Sequence, residues 1–123
     1  MPRATITSQQ PEEFDLKSLA GGKVTLKRMS YGEYLARRDI AAKFRIDSQQ
    51  GSKDFGGEML MAQKKVAEFE FKCCVVDHNL EDDNGGKMNL TAPGVLDVLD
   101  PRVGEEISVL IDNMNQFEAE VKN

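Results

Sequence analysis

The sequence is poor in the residue types that carry most catalysis and metal binding. It has no Trp, one His and two Cys among 123 residues. Structural zinc sites usually take four ligands in two separated pairs, and Cys73, Cys74 and His78 offer no second pair. Adjacent cysteines also bridge poorly, because a disulfide needs converging Cβ atoms. The sequence therefore predicts reduced thiols and no metal or cofactor.

Long hydrophobic runs and an excess of positive charge are lacking as well. The longest apolar runs are far shorter than the roughly 20 residues that span a bilayer, and the N-terminal stretch has no apolar segment typical of a signal peptide. The chain carries 21 acidic and 16 basic residues, a net charge of −5. Surfaces that bind phosphates or anionic lipids need an excess of Lys and Arg. We therefore expect a cytoplasmic protein that binds neither nucleic acid nor membrane.

The acidic stretch over residues 77–83 does not match a calcium loop. In an EF-hand loop that began at Asp77, the position that requires Gly would hold Asp82, and the position of the bidentate Glu would hold Met88. A solvated acidic turn, in which residues 84–86 supply a positive φ, accounts for the pattern better.

Known catalytic signatures are missing too. The chain has no G-x-S-x-G, no P-loop and no G-x-G-x-x-G motif. A nucleophilic Cys73 with His78 as its base is disfavoured, because apolar neighbours raise the pKa of a thiol. The sequence therefore argues against an enzyme.

The N-terminal part of the chain has the pattern of a β-hairpin. Polar and apolar residues alternate over residues 12–19 and 23–29, on either side of Gly21 and Gly22. An isolated hairpin is marginal in water, so its apolar side chains should pack on helices. These side chains are Phe14, Leu16, Val24 and Leu26. Residues 1–11 are polar and predict a flexible arm, and residues 12–123 predict a single domain.

Helical patterns follow the hairpin. Ser30 and Glu33 have capping-box spacing and predict a helix that ends near Ile46, followed by a loop over residues 47–57. Residues 58–76 then carry an apolar stripe at helical spacing, which predicts the core helix. The stripe consists of Met59, Ala62, Val66, Phe69, Cys73 and Val76.

Two predicted helix starts, each with a proline shortly after the N-cap residue, divide the last third of the chain. Thr91 before Pro93 predicts the N-cap of a short helix through Leu99, and Asp100 before Pro101 predicts the start of a final helix through Val121. The predicted fold class is α+β, with an N-terminal β-hairpin followed by a mainly α-helical body of three to four helices.

The final helix carries an apolar stripe that faces either the core or another subunit. The stripe consists of Val103, Ile107, Leu110, Met114, Phe117 and Val121. Its first turns are the better candidates for the core, which leaves Met114, Phe117 and Val121 as candidate partner contacts. Tyr31 and Tyr34, at the start of the first helix, are further candidates.

Several stretches between residues 12 and 117 resemble the tail assembly chaperones of long-tailed bacteriophages. They are the hairpin FDLKSLAGGKVTLKRM, the helix start YGEYLARRD and the segments FEFKCCVVDHNLEDDNGGKMNLT and LDPRVGEEISVLIDNMNQF. Residues 77–80 match a D-aromatic-N-L step, with His78 in the place of the aromatic residue, and an acidic glycine turn follows.

The resemblance implies a protein of the host cytoplasm that is missing from the virion. It implies binding to the tape-measure protein, which is kept soluble, and promotion of tail-tube assembly. It also implies recruitment of the major tail (tube) protein through a longer, frameshifted form, and self-association. No catalytic, metal or cofactor residue is carried over. The alternative is a permanent minor structural component of the tail.

Overall fold

Within the described residues, a three-stranded antiparallel sheet and three α-helices form the fold. The computed structural model describes residues 2, 4–6, 10–49 and 55–115. The elements are β1 (Glu12–Asp15), β2 (Lys23–Leu26), α1 (Tyr31–Gln49), α2 (Phe55–Cys74), β3 (Val75–His78), a 3₁₀ helix (Val95–Asp97) and α3 (Pro101–Asn115). The predicted α+β class, with its N-terminal hairpin, is confirmed. Of the arm predicted over residues 1–11, residues 1, 3 and 7–9 lie outside the description.

The hairpin pairs β1 with β2 and buries its apolar side chains as predicted. Phe14 lies opposite Val24. The turn is closed by a 2.8 Å hydrogen bond from the Leu16 amide to the Gly22 carbonyl, and Gly21 adopts a φ of 79°, which favours glycine. Leu16, Val24 and Leu26 are buried, and Phe14 packs against them at the edge of the core.

The predicted continuation of the core helix to Val76 is wrong. Helix α2 ends at Cys74 and β3 begins at the next residue, so Val76 lies in a strand and is 49% exposed. Two β-branched residues in succession favour a strand, and β2 supplies its partner. The segment over residues 73–90 is thus more than a connector between helices, because it contributes the third strand.

The loop predicted over residues 47–57 is also wrong at both ends. Helix α1 continues past Ile46 to Gln49, and α2 begins at Phe55, while residues 50–54 lie outside the description. Loop-forming residue types are tolerated in the terminal turns of helices, where fewer backbone hydrogen bonds depend on them.

The capping box at the start of α1 is confirmed. The Glu33 amide donates to Ser30 Oγ at 3.2 Å, and Glu33 Oε1 accepts from the Ser30 amide at 3.0 Å. Partial burial alone would raise the pKa of Glu33, but the bond from the Ser30 amide and other favourable contacts outweigh it and hold this pKa below its usual value.

Helix α3 begins as predicted, whereas the short helix expected before it does not form. The Asp100 carboxylate accepts from the Arg102 amide at 2.9 Å, with Pro101 in the first turn. Thr91 caps no helix: its hydroxyl donates to Asn89 Oδ1 at 2.8 Å, and only the 3₁₀ helix follows. Gly94, with a φ of 82°, diverts the backbone there.

The core lies where the sheet meets α2 and α3. Helix α3 inserts Val103, Ile107 and Ile111, and Leu110 and Met114 pack at its margin. Helix α2 contributes Phe71 and Cys74, two of the residues that widen the predicted apolar stripe, and both are buried as expected for a core helix. The remaining buried apolar side chains are Leu16, Val24, Leu26, Met29, Val75, Leu80 and Leu90.

A carboxylate clamp fastens the hairpin turn to α3. Glu106 accepts hydrogen bonds from the Lys17 amide at 2.8 and 3.0 Å, from the Ser18 amide at 2.8 Å and from Ser18 Oγ at 2.6 Å. The bonds from the Lys17 amide, followed by those from Ser18, lower the pKa of Glu106.

The Ile107→Ala variant should lower the free energy of unfolding by about 2–5 kcal/mol, because the isoleucine is fully buried and its loss leaves a cavity. The matched variant Val109→Ala, at a 45% exposed position on the same helix, should change it by less than about 0.5 kcal/mol. Urea unfolding followed by circular dichroism measures both. Equal losses would contradict the assigned face of α3.

The Glu106 clamp should make stability sensitive to acid. Because its pKa is lower in the folded chain than its usual value of 4.5, its contribution is present above that pH and is lost as the pH falls through the folded pKa. Urea midpoints measured from pH 6 to pH 3 should therefore fall less steeply for Glu106→Gln than for the wild type. Glu105→Gln, at an exposed neighbouring position, should keep the wild-type slope.

Candidate functional site

An open groove of about 420 Å³ lies between α1, α2 and the segment over residues 90–96. We refer to it as the groove. Its apolar lining consists of Ile40, Phe69, Leu90, Ala92, Pro93 and Leu96. Its remaining lining residues are Lys43, Lys65, Glu68, Lys72 and Thr91. Lys43, Lys65 and Lys72 are exposed. We refer to the apolar lining residues as the floor of the groove and to these three lysines as its rim.

Helical spacing places the groove residues of α2 on one face. Lys65, Phe69 and Lys72 follow one another at i, i+4 and i+7, so they share a side of the helix. Ile40 and Lys43, at i and i+3, do the same on α1. The two helices pack against each other and hold these faces side by side.

The third wall, residues 90–96, has no regular structure over most of its length but is anchored at both ends. Leu90 is buried in the core, and Asn89 Oδ1 accepts from the Thr91 amide at 3.2 Å. Beyond the other end, Lys64 Nζ of α2 lies 2.6 Å from Asp97 Oδ1. This hydrogen bond raises the pKa of Lys64. The wall is therefore held against α2 without belonging to it.

The groove is suited to binding apolar side chains of another protein. Lysine side chains can lie along an apolar surface and keep their ammonium groups in water, so the rim stays hydrated when the floor is covered. Pockets for small polar ligands place a few polar groups so that they converge on the ligand. Here the floor is formed by aliphatic and aromatic carbon, which fits the apolar face of an amphipathic helix.

The candidate partner contacts predicted from the sequence lie elsewhere. Tyr31 is 73% exposed, and its ring stacks on the half-buried Tyr34 with centroids 6.1 Å apart. Met114 is half-buried, packs against the core and lines a second cleft with Ile6 of the arm. Phe117 and Val121 lie outside the described residues. None of the three described candidates lines the groove.

The sequence pattern did not predict the groove, although the spacing of its residues on α2 can be seen in the sequence. The spacing of Lys65, Phe69 and Lys72 is visible in the sequence, but an aromatic residue at helical spacing such as Phe69 indicates a core position more strongly than a partner contact. In the structure Phe69 is half-buried, so it both packs on the core and lines the groove. The wall over residues 90–96 could not be read from the pattern, because it was interpreted as a helix.

The segment over residues 77–80 serves the architecture of the sheet. Asn79 Oδ1 accepts from the Lys23 amide at 2.7 Å, and Asn79 Nδ2 donates to the Gly21 carbonyl at 2.9 Å, so its side chain locks the hairpin turn to β3. Leu80 is buried in the core. The acidic turn that follows closes through a 2.8 Å bond from the Asp82 amide to the Gly86 carbonyl, with Gly85 at a φ of 82° as predicted for this turn.

The two thiols and the imidazole near this segment have shifted pKa values. Burial raises the pKa of Cys73 and Cys74 to about 12, so both thiols are protonated at neutral pH. Burial also lowers the pKa of His78, and its Nδ1 accepts from the Leu80 amide at 3.0 Å. His78 Nδ1 thus already serves as an acceptor within the turn.

A buried ion pair joins the two long helices beside this region. Glu70 of α2 is 5% exposed, and its Oε2 lies 2.9 Å from Arg37 Nε of α1. Burial, together with the nearby Asp112, raises the pKa of Glu70 above its usual value, although the Arg37 guanidinium acts in the opposite direction. Over the described part of the chain, no three His, Cys, Asp or Glu side chains form a group that could hold a metal ion. In the same residues, no helix has the length and apolar character needed to cross a membrane.

Comparison of the chain with known proteins found no match among protein-family models, curated proteins or solved structures. Its function is therefore inferred from its own residues. The groove is the feature of the described residues best suited to binding a partner.

Proposed function

We propose that this chain is a tail assembly chaperone of a long-tailed bacteriophage that binds helices of the tape-measure protein and keeps them soluble. The groove carries the proposal, because its apolar floor can cover the apolar face of a helix that would otherwise meet water. A tape-measure protein built of long amphipathic helices presents such faces until the tail tube encloses it.

The resemblance of the sequence to these chaperones supports the proposal. Two of the stretches that carry it have clear structural roles in the chain. Glu33 of the stretch YGEYLARRD forms the capping box of α1 with the preceding Ser30. Asn79 of the D-aromatic-N-L step bonds the hairpin to the end of β3. These residues therefore lie at the start of α1 and just after the strand that follows α2, and the two helices form two walls of the groove.

The chemistry of the described residues also favours binding over catalysis. Both thiols have a pKa of about 12, and the only histidine has a pKa below its usual value and its Nδ1 accepts a backbone bond. We propose that the protein acts in the host cytoplasm, and that the major tail protein is recruited through a longer, frameshifted form of the chain. Self-association is part of the same proposal, with the exposed Tyr31 as a candidate contact.

Co-expression with the tape-measure protein of the same phage tests the proposal. The tape-measure protein should be recovered in the soluble fraction with the wild-type chain and in the insoluble fraction without it. The variant Ala92→Arg places a long cationic side chain on the groove wall and should remove this effect. Ala42→Arg is the matched control, because Ala42 is exposed and lies about 200° around α1 from Ile40.

Equal solubility of the tape-measure protein with and without the wild-type chain would refute the chaperone function. Circular dichroism should show that both arginine variants keep the wild-type fold, so that a loss of effect reports on the groove. Mass spectrometry of purified virions separates the proposal from its alternative, since a permanent minor component of the tail would be found in the particle and a chaperone would not.

A further inference from the structure

The charge of the groove rim is opposite to that of the whole chain. The chain carries a net charge of −5, yet three lysines, Lys43, Lys65 and Lys72, line the groove beside one carboxylate, Glu68. All three lysines are exposed, and none of them forms a salt bridge with a carboxylate of the described residues. Within the described part of the chain, their charge is therefore available to a partner.

We propose that the groove selects amphipathic helices whose apolar face is flanked by acidic residues, and that it discriminates against helices flanked by basic ones. The proposal rests on the proposed function for the identity of the natural partner, the tape-measure protein. The charge preference itself follows from the groove.

The positions of the lysines fit a bound helix. Lys65 and Lys72 are seven residues apart on α2, which places them about 10 Å apart along the helix axis, with Phe69 between them. Lys43 adds positive charge from α1. A helix of about two turns laid on the floor would bring its flanking residues beside these ammonium groups, at the boundary where the floor meets water.

Neighbouring charges leave the preference intact. Lys64 precedes the rim residue Lys65 in the sequence. Its Nζ lies 2.6 Å from Asp97 Oδ1, so its charge is neutralised by this carboxylate. Glu68 offsets one of the three rim lysines, which leaves an excess of positive charge at the groove. Since the rest of the chain is net acidic, an acidic helix is repelled elsewhere and attracted here, and such complementarity governs specificity more than total affinity.

Binding of two labelled peptides to the full chain tests the inference. Both are helices of about 20 residues with the same leucine stripe, one with Glu and one with Lys at every flanking position, matched for helicity by circular dichroism. Fluorescence anisotropy at low salt should show the Glu peptide binding about 5- to 20-fold more tightly. The preference should shrink at high salt, because the rim is exposed.

Charge reversal on the rim should change the preference. Lys65→Glu and Lys72→Glu should each reduce the ratio of the two affinities about two- to fivefold. Arg38→Glu is the matched control, since Arg38 is exposed and lies about 200° around α1 from Ile40, and it should leave the ratio near the wild-type value.

Equal affinity for the two peptides, no binding of either peptide, or an equal response to Lys72→Glu and Arg38→Glu would overturn the inference. These outcomes differ from failure of the chaperone function. A chain that keeps the tape-measure protein soluble but binds both peptides equally retains the proposed function without the charge selection. A chain that prefers the Glu peptide but does not solubilise the tape-measure protein retains the charge selection, and the natural partner is then a different acidic helix.

Discussion

The direct passage from α2 into β3 at Cys74 and Val75 is the constraint on which the rest of the structure depends. The strand begins at the residue after the last residue of the helix, so the position of β3 in the sheet fixes the direction of α2. The Cys74 carbonyl accepts from the Lys27 amide at 2.9 Å, and both Cys74 and Val75 are buried. A side chain cannot be moved at this junction without disturbing the hairpin, the core helix and α3 together.

The groove follows from this constraint. With α2 fixed by the sheet, α1 packs along it and is tied to it by the buried Arg37–Glu70 pair. Replacing such a pair with apolar residues is often neutral or stabilising, whereas removing one partner leaves the other charge buried and unpaired. The wall over residues 90–96 is then held across them by Leu90 and by the Lys64–Asp97 contact. The groove is thus an opening between rigidly placed elements.

Patterns with a local cause were predictable from the sequence. The hairpin, the Ser30–Glu33 capping box, the Asp100–Pro101 helix start and the buried Val103 and Ile107 each follow from residues close together in the chain. The strand at Val75 was not predictable in the same way, since its cause is the free edge of β2, about fifty residues earlier. The sequence pattern did not separate Phe71 and Cys74, which are buried, from Val76, which is exposed, because pairing with β2 ends the helix at Cys74.

The candidate site was predicted less well than the fold. Its three walls come from distant parts of the chain, and the sequence pattern of one of them, residues 90–96, predicts a helix of which only a 3₁₀ turn forms. The sequence offers Met114 as a partner contact because it lies beyond the first turns of the final helix, and it offers Tyr31 and Tyr34 at the start of the first helix. The structure places Tyr34 and Met114 at the margin of the core and only Tyr31 in the open. A surface formed by tertiary packing leaves little trace in local periodicity.

Site-specific photo-cross-linking in cells that co-express the tape-measure protein identifies which surface of the chain binds it. A photoreactive phenylalanine analogue would replace Pro93, which is exposed at the groove, or Tyr31, which is exposed on α1 away from it. The account predicts a covalent adduct with the tape-measure protein from position 93 and a much weaker one from position 31. An adduct formed from position 31 alone would contradict it, because the partner would then bind a different surface of the chain.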